Sequence, residues 1–328
     1  MIDINHTNEY EEMKLTGTQE HTRAYIKIQD GCNQFCSYCM IPYARGRVRS
    51  RKKEDILEEM KGLVKAGYRE FVLRGIHISS YGIDFLQAQG DKRAVYGKDT
   101  NRLLLELMQE IDAMEGVDRL RLGSLEPRIV TPEFAQGLKQ IKSLCPHFHL
   151  SLQSGCEETL KRMNRHYTPQ QFMEGVKLLR DTFEHPAITT DVIVGFPQES
   201  EEEFEITRQF LEDVSFYEMH IFKYSKRKGT KAAVMEGQIP EAVKTKRSNV
   251  LLEMERQDSK EYRLFYVNKI TDVLFEEEKE FEGKKYWIGH TREYVKVAFA
   301  CGENLENQLV TGKITGALND EVLLMEKV

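Results

Sequence analysis

The sequence predicts an α/β protein, a partial (β/α)6 barrel followed by a small antiparallel β-barrel. Three observations lead there. Strand-like and helix-like stretches alternate as roughly six units over residues 23–240, as a parallel sheet with helical crossovers requires. A charged helical stretch then gives way to about five short strands joined by turns. Residues able to do chemistry gather where strands end, after Leu73, Leu122, Leu152 and Val194, which is where barrel enzymes keep theirs.

The elements follow in order. Residues 1–22 are polar, acidic and aperiodic, and read as a linker or tail. Tyr25-Ile26-Lys27-Ile28 alternates like a strand. Glu54 to Ala66 places Leu57, Met60, Leu63 and Val64 on one helical face, and Gly67 ends it before the strand Phe71-Val72-Leu73. Gln87 to Asp99 is long and polar and reads as a mobile loop. Leu103 to Met114 is a helix and Leu120-Arg121-Leu122 a strand. Thr131 caps a helix from Pro132, with proline at its favoured first position. His149 to Leu152 is a strand, and Glu157 to Met163 and Pro169 to Phe183 are helices. Ile188 to Val194 is a buried strand. Glu199 to Val214 is a helix with acidic residues at its positive end. His220-Ile221-Phe222 closes the series.

Glu241 to Leu264 is the charged connector. Beyond it lie strands at Ile270–Phe275, Lys285–Gly289, Tyr294–Phe299, Gln308–Ile314 and Glu321–Met325, with turn residues at Glu282-Gly283 and Leu318-Asn319-Asp320. Such a run suits a barrel of the oligonucleotide-binding general type. The expected divisions are 1–22, 23–240, 241–262 and 263–328.

Cys32, Cys36 and Cys39 form a C-x3-C-x2-C run inside Asp30–Cys39. Three thiols this close cannot all pair with one another, and soft sulfur ligands suit iron–sulfur or zinc. A structural zinc site wants a fourth ligand nearby, and no second C-x2-C or H-x3-H follows Cys39. Three protein ligands on a four-iron cluster would leave one iron open to bind a small molecule, as an open zinc position does. Both metals remain in contention on spacing alone. Cys145, Cys156 and Cys301 read as ordinary small buried residues.

Composition narrows the partners. At 328 residues the chain can hold one large domain and a small one. No stretch has the length and apolarity to cross a membrane, and Met1-Ile2-Asp3-Ile4-Asn5-His6 lacks the basic and apolar regions of a signal peptide. Free thiols without an export signal point to the cytoplasm. The net charge of −6 argues against a general polyanion binder, but basic residues cluster locally. One run holds Arg45, Arg47, Arg49, Arg51, Lys52 and Lys53, directly after the cysteines, and another holds Lys223, Lys226, Arg227, Lys228 and Lys231. Each is either a solvated face or a grip for phosphates. Residues 263–328 carry nine Lys and Arg against twelve Asp and Glu, so charge does not favour RNA there.

Seven segments in order make a more specific pattern. They are Ile26-Lys27-Ile28-Gln29-Asp30-Gly31-Cys32-Asn33, then Pro42-Tyr43-Ala44-Arg45-Gly46 with Arg49-Ser50-Arg51, then Gly75-Ile76-His77-Ile78-Ser79-Ser80-Tyr81-Gly82. Leu122-Gly123-Ser124-Leu125-Glu126-Pro127, Leu152-Gln153-Ser154-Gly155-Cys156 and Thr190-Asp191-Val192-Ile193-Val194-Gly195-Phe196-Pro197 follow. Last comes Phe222-Lys223-Tyr224-Ser225 with Arg227 and Gly229-Thr230. With these and the cysteine spacing, the chain resembles the radical S-adenosylmethionine (SAM) methylthiotransferases over nearly its whole length. It is most similar to the subfamily that modifies C2 of N6-threonylcarbamoyladenosine in tRNA.

The resemblance implies one 4Fe-4S cluster on Cys32, Cys36 and Cys39, with SAM on the open iron. It implies that Tyr38 lies near the adenine of SAM and that the Gly75 backbone approaches its amino group. Ser124, Glu126 and Gln153 would bond the methionyl or ribose part, and Asp191 would make a buried hydrogen bond in the cofactor region. Arg45, Arg49, Arg51, Arg227 and Trp287 become candidates for gripping RNA, Trp287 with Tyr286 as a stacking surface. The C-terminal part resembles the TRAM domain that is linked with tRNA binding in this family. The implied partners are the tRNA anticodon stem-loop and an electron donor such as a flavodoxin or ferredoxin. The implied chemistry is reductive cleavage of SAM to a 5′-deoxyadenosyl radical, then transfer of a methylthio group to an aromatic carbon too inert for polar catalysis.

Three departures stand against the pattern. The family's N-terminal domain, whose three cysteines hold a second 4Fe-4S cluster that supplies sulfur, has no match, so this chain alone is expected to be incomplete for the full reaction. Gln198 stands where glycine usually follows Gly-Phe-Pro. Gln87 to Asp99 is longer than expected. The rival readings are a single-cluster radical SAM enzyme of different outcome and a non-catalytic RNA-binding protein that holds zinc.

Overall fold

A two-residue period starts the fold. In β1 (Arg23–Asp30) the apolar Ala24, Ile26 and Ile28 are buried on one face, and Arg23 and Tyr25 point to the other. The computed structural model describes residue 10, residues 22–88 and residues 96–328. After β1 come the cysteine loop, a single turn α1 (Ile41–Ala44), the two-residue β2 (Arg49–Ser50), α2 (Lys53–Lys65) and β3 (Glu70–Gly75). Then follow α3 (Ile83–Ala88), α4 (Lys98–Asp112), β4 (Arg119–Leu122), α5 (Pro132–Lys139), β5 (His147–His149), α6 (Glu157–Arg162) and α7 (Pro169–Thr182). The unit closes with β6 (Ala187–Val194), α8 (Glu201–Val214) and β7 (Glu218–Lys223).

β1, β3 and β4 run parallel, with β2 antiparallel along the outer edge of β1. β5, β6 and β7 are also parallel. Bridges Leu120↔Leu144 and Leu125↔Leu150 join the two groups. The parallel strands therefore lie in sequence order as a partial (β/α)6 barrel, as expected. Outward residues such as Ile26, Phe71, Leu73, Leu120, Phe148 and Ile188 meet Met60, Leu107, Phe134, Phe172 and Leu211 of the helices in one core. The Thr131 hydroxyl accepts from Phe134 N at 3.2 Å, the cap expected of it.

The differences from the expected elements are local. β5 begins two residues before the expected strand, and residues 150–153 continue its path by isolated bridges. α1, β2 and α3 were not anticipated. The expected mobile loop at Gln87–Asp99 begins as the end of α3 and finishes as the start of α4, and its residues 89–95 lie outside the described residues, as does most of the expected 1–22 tail.

α9 (Glu241–Leu264) leads to β8 (Ile270–Phe281), β9 (Lys284–His290), β10 (Lys296–Phe299), β11 (Leu309–Ala317) and β12 (Leu323–Lys327). These close into a barrel in the order β10-β12-β11-β8-β9 around Val273, Phe275, Val297, Ile314 and Met325. It docks where the large barrel's strands begin. Arg119 donates to the carbonyls of His290 and Asp272 at 2.8 Å each, and Arg121 to those of Arg292 and Thr291 at 2.7 and 2.9 Å. The buried Glu70 carboxylate faces Arg121, Arg119 and Arg23. Burial acts to raise its pKa, but the arginines prevail and hold it below the usual glutamate range.

Candidate active site

The cysteine loop leaves the C-terminal end of β1 through Gly31, whose φ is +71°. A Cβ there would lie 1.8 Å from the Arg47 carbonyl oxygen, so only glycine lets the loop fold back on that segment. Cys32 N donates to Gly46 O at 3.1 Å and Cys39 N to Cys36 O at 3.0 Å. Ser37 ties the loop to the end of α6: its N donates to Met163 O at 2.9 Å and its hydroxyl to Arg162 O at 2.8 Å. Asn164 donates to Phe35 O at 3.0 Å. The loop is thus fixed from both sides.

All three thiols are free, and Cys32 is buried. Burial pushes the Cys32 thiol up to about 11 and also raises Cys39. A metal that binds here must displace protons to obtain thiolates. Cationic groups stand ready: Arg165 donates to Cys36 Sγ at 3.2 Å, and Arg227 acts on Cys39 to favour its thiolate. Sequence reasoning gave no sign of Arg165. It follows a helix end without a motif, and its place at the sulfur is tertiary.

The donor set can be tested against the two metals. Among the described residues, the group of three His, Cys, Asp or Glu ligand atoms lying within 4.8 Å of one another is His149, Asp191 and His220, not the cysteines. One tetrahedral zinc with Zn–S of ~2.3 Å draws its thiolates to ~3.8 Å apart. The wider spread of the three sulfurs suits a larger cluster.

Inside the barrel lies a cavity of about 530 Å³ that runs from Gly75, Ser124 and Asp191 near the strand ends to Arg23 and His147 at the strand starts and Tyr294 of the small barrel. A Cβ on Gly75 would lie 2.9 Å from both the carbonyl and the side-chain oxygen of Gln29, so this position has room only for backbone. Gln29 Oε1 in turn accepts from His77 N at 2.7 Å. Ser124 is exposed to the cavity. Glu126 is buried and its carboxylate is held by Arg128 at 2.6 and 2.9 Å, 4.0 Å from His77 Nε2. Burial would raise the Glu126 pKa, but Arg128 keeps it below the ordinary value. Gln153 has φ +69°, a left-handed conformation rare for this residue type, and its backbone pairs with Asp191 and Ile193. Tyr38 packs half-buried beside the loop with its ring edge on Phe196 at 6.2 Å.

The expected RNA contacts divide. Arg45 and Arg227 are exposed near the cysteines. Arg49 and Arg51 are buried: Arg49 lies 3.8 Å from Asp30, and Arg51 pairs with Glu59 and reaches Asp55 O at 3.2 Å. Both brace the loop from inside and present no face to RNA, because β2 turns them into the core. Trp287 is half-buried against the small barrel's core, and Tyr286 is buried on the other side, so the pair forms no common stacking surface. Cys145 and Cys156 are buried away from the loop, and Cys301 is half-buried in the small barrel.

Residues 26–211 match the family described as the radical SAM superfamily. The chain belongs to the radical SAM superfamily. Its relatives are methylthiotransferases. It is 41% identical over 310 residues to the threonylcarbamoyladenosine tRNA methylthiotransferase MtaB of Bacillus subtilis (strain 168), covering 94% of this chain and 66% of that one. It is 37% identical to the protein of the same name from Chlamydia pneumoniae, covering 93% and 68%. With a tRNA-2-methylthio-N(6)-dimethylallyladenosine synthase of Acetivibrio thermocellus the identity is 36%, covering 90% and 59%. The chain thus spans between 59% and 68% of the length of these relatives. Among solved structures, a radical SAM methyltransferase, TsrM from Kitasatospora setae, with cobalamin and a 4Fe-4S cluster bound, superposes with a TM-score of 0.50 at 17% identity. That match covers 64% of this chain and 38% of the other, and shares the barrel fold. Radical SAM proteins bind a 4Fe-4S cluster and SAM, and the three free thiols on one loop fit the cluster.

Proposed function

We propose that this chain is the radical SAM and TRAM portion of a tRNA methylthiotransferase acting on C2 of N6-threonylcarbamoyladenosine beside the anticodon. The observation that carries the reading is a triad of free cysteines on a braced loop at the end of β1, a strand whose Arg23 and Tyr25 also line the barrel cavity. The names of the relatives support the choice of substrate. Cys32, Cys36 and Cys39 hold the cluster, and Arg165 and Arg227 offset the charge of the thiolates. Once bound, the cluster and SAM supply a reducing electron and a carbon-centred radical. The chain's own residues position and shield. Gly75 offers backbone without a side chain, Ser124 and the Gln153 backbone line the approach to SAM, and Tyr38 packs against its adenine side. Asp191 faces the cavity. Arg45 and Arg227 meet the anticodon stem-loop at the mouth, and a flavodoxin or ferredoxin delivers the electron in the cytoplasm.

The chain purified without oxygen should carry about four iron and four sulfide ions, and with dithionite and SAM should release 5′-deoxyadenosine. Cys36→Ala should lose both properties, and Cys145→Ala should keep them. Zinc in the loop and no 5′-deoxyadenosine would sink the proposal. The 328 residues hold one cysteine triad, and the other three cysteines lie apart from it. These residues by themselves should therefore cleave SAM without repeated methylthio transfer. Multiple-turnover methylthiolated RNA from this polypeptide would overturn that part.

A further inference from the structure

The barrel cavity carries Arg74, His149 and His220, to which cluster and SAM binding assign no role, around an Asp191 that is 29% exposed rather than buried. On β3, alternation turns Arg74 inward, where its guanidinium lies 4.6 Å from the centre of the Tyr25 ring. Among the described residues, no carboxylate lies within ion-pair distance of it. Across the cavity, Asp191 of β6 and His220 of β7 are register partners. His149 Nε2 lies 3.3 Å from Asp191 Oδ2, its Nδ1 lies 3.0 Å from Thr189 Oγ1, and its ring stacks on His220 at 5.7 Å. His220 is exposed to the cavity, so its ring is free for a ligand.

A hydrocarbon placed here would leave the Arg74 guanidinium without an anionic partner and the free oxygen of Asp191 and the exposed edge of His220 without water, at the cost of their lost solvation. An anionic ligand with its own donors and acceptors would satisfy them. The relatives' names differ in this respect. A threonylcarbamoyl group carries a carboxylate, a hydroxyl and urea N–H groups, whereas a dimethylallyl group is all hydrocarbon. We propose that this cavity receives the N6 substituent of the target adenosine and selects the anionic threonylcarbamoyl group. Arg74 takes its carboxylate, and Asp191 with His220 takes its hydroxyl and urea N–H. The inference rests on the nucleoside substrate proposed above.

The test uses the full chain reconstituted with its cluster and anticodon stem-loop RNAs that differ only at the target base. The bases are unmodified adenosine, threonylcarbamoyladenosine, the same with its carboxylate as a primary amide, and dimethylallyladenosine. The carboxylate form should bind about 10-fold or more tighter than the amide, because the lost contact is charge-assisted. Arg74→Gln and His220→Phe should each shrink that ratio toward one and leave unmodified RNA bound as before, and Arg74→Lys should keep part of it. Equal binding of the carboxylate and amide forms, with unmodified RNA still bound, would overturn the subsite and leave the RNA reading intact. No binding of any stem-loop would overturn the RNA reading itself. A zinc ion found beyond the cluster iron and lost in His220→Phe would overturn the subsite in favour of a metal at His149, Asp191 and His220.

Discussion

Gln198 holds φ +68°, in the left-handed region that favours glycine, and so explains why its position after Gly-Phe-Pro stands out in the sequence. Its N–H donates to Gly237 O at 2.8 Å, which fixes the turn whatever the side chain. Gln198→Gly should be neutral or slightly stabilising, since relief of left-handed strain offsets the greater freedom of glycine when unfolded. Gln198→Val should cost about 1–2 kcal/mol in urea unfolding. Equal stabilities of the two variants would show that the backbone conformation is not what limits this site. His77 gives a pH dependence. Its imidazole is largely shielded from water, and this desolvation pushes its pKa down to about 4, so the folded chain favours the neutral form. Unfolded, it titrates near 6.5, so between these values the unfolded chain binds more protons. Its stabilising contribution is complete above about pH 6.5 and fades as pH falls toward 4, by up to about 3 kcal/mol. In the cluster-free chain, the stability gap between wild type and His77→Gln should narrow by more than about 1 kcal/mol from pH 7.5 to pH 5. A constant gap would mean that His77 is not the titrating group.

Between elements, charge organises the joint of the two barrels: Arg23 pairs with Glu276 of β8 at 2.7 Å, and Glu70 holds Arg119 and Arg121. Among the described residues, Glu70 is the carboxylate that pairs with Arg119 and Arg121 where they reach the small barrel's carbonyls, and all three side chains are buried. Glu70→Gln leaves those cations uncompensated and should cost about 3–5 kcal/mol in chemical denaturation. Glu106→Gln, which breaks an exposed pair with Arg102, should cost less than about 1 kcal/mol. Similar costs for the two would remove the joint's claim to importance. The elements that the sequence made legible are those with a period. β1, β3 and β6 bury alternate or continuous apolar residues, and α2, α4, α7 and α8 carry a clear apolar stripe. β2 was hidden because two residues have no period. It exists because Ser50 N and Oγ donate to Asp84 at 2.8 and 2.5 Å, a contact across 34 residues. β5 was misplaced because His147-Phe148-His149 and Leu150-Ser151-Leu152 alternate equally well, and only pairing with β6 separates them.

At the scale of the whole molecule, the cysteine triad could be read from spacing, because ligands on one short loop are also neighbours in sequence. The cavity could not. An inward Arg74 or His220 has the same two-residue period as a solvent-facing one, and only closure of the sheet distinguishes them. Charge behaves similarly. The net −6 hides a basic rim at the mouth, where Arg45, Lys226, Arg227 and Lys228 are exposed. On the small barrel, Lys279 and Lys285 are spent on Glu277 and Glu278. If RNA docks at the mouth, each lysine or arginine that meets a phosphate releases counterions, and affinity falls with salt at a slope of about −0.7 to −0.9 per contact. Arg227→Gln combined with Lys228→Gln should weaken stem-loop binding and flatten the plot of log affinity against log salt by about 1.5. Lys279→Gln combined with Lys285→Gln should leave the slope in place, since those charges are already neutralised. If the second pair flattens the slope and the first does not, RNA rests on the small barrel and the mouth is free of it.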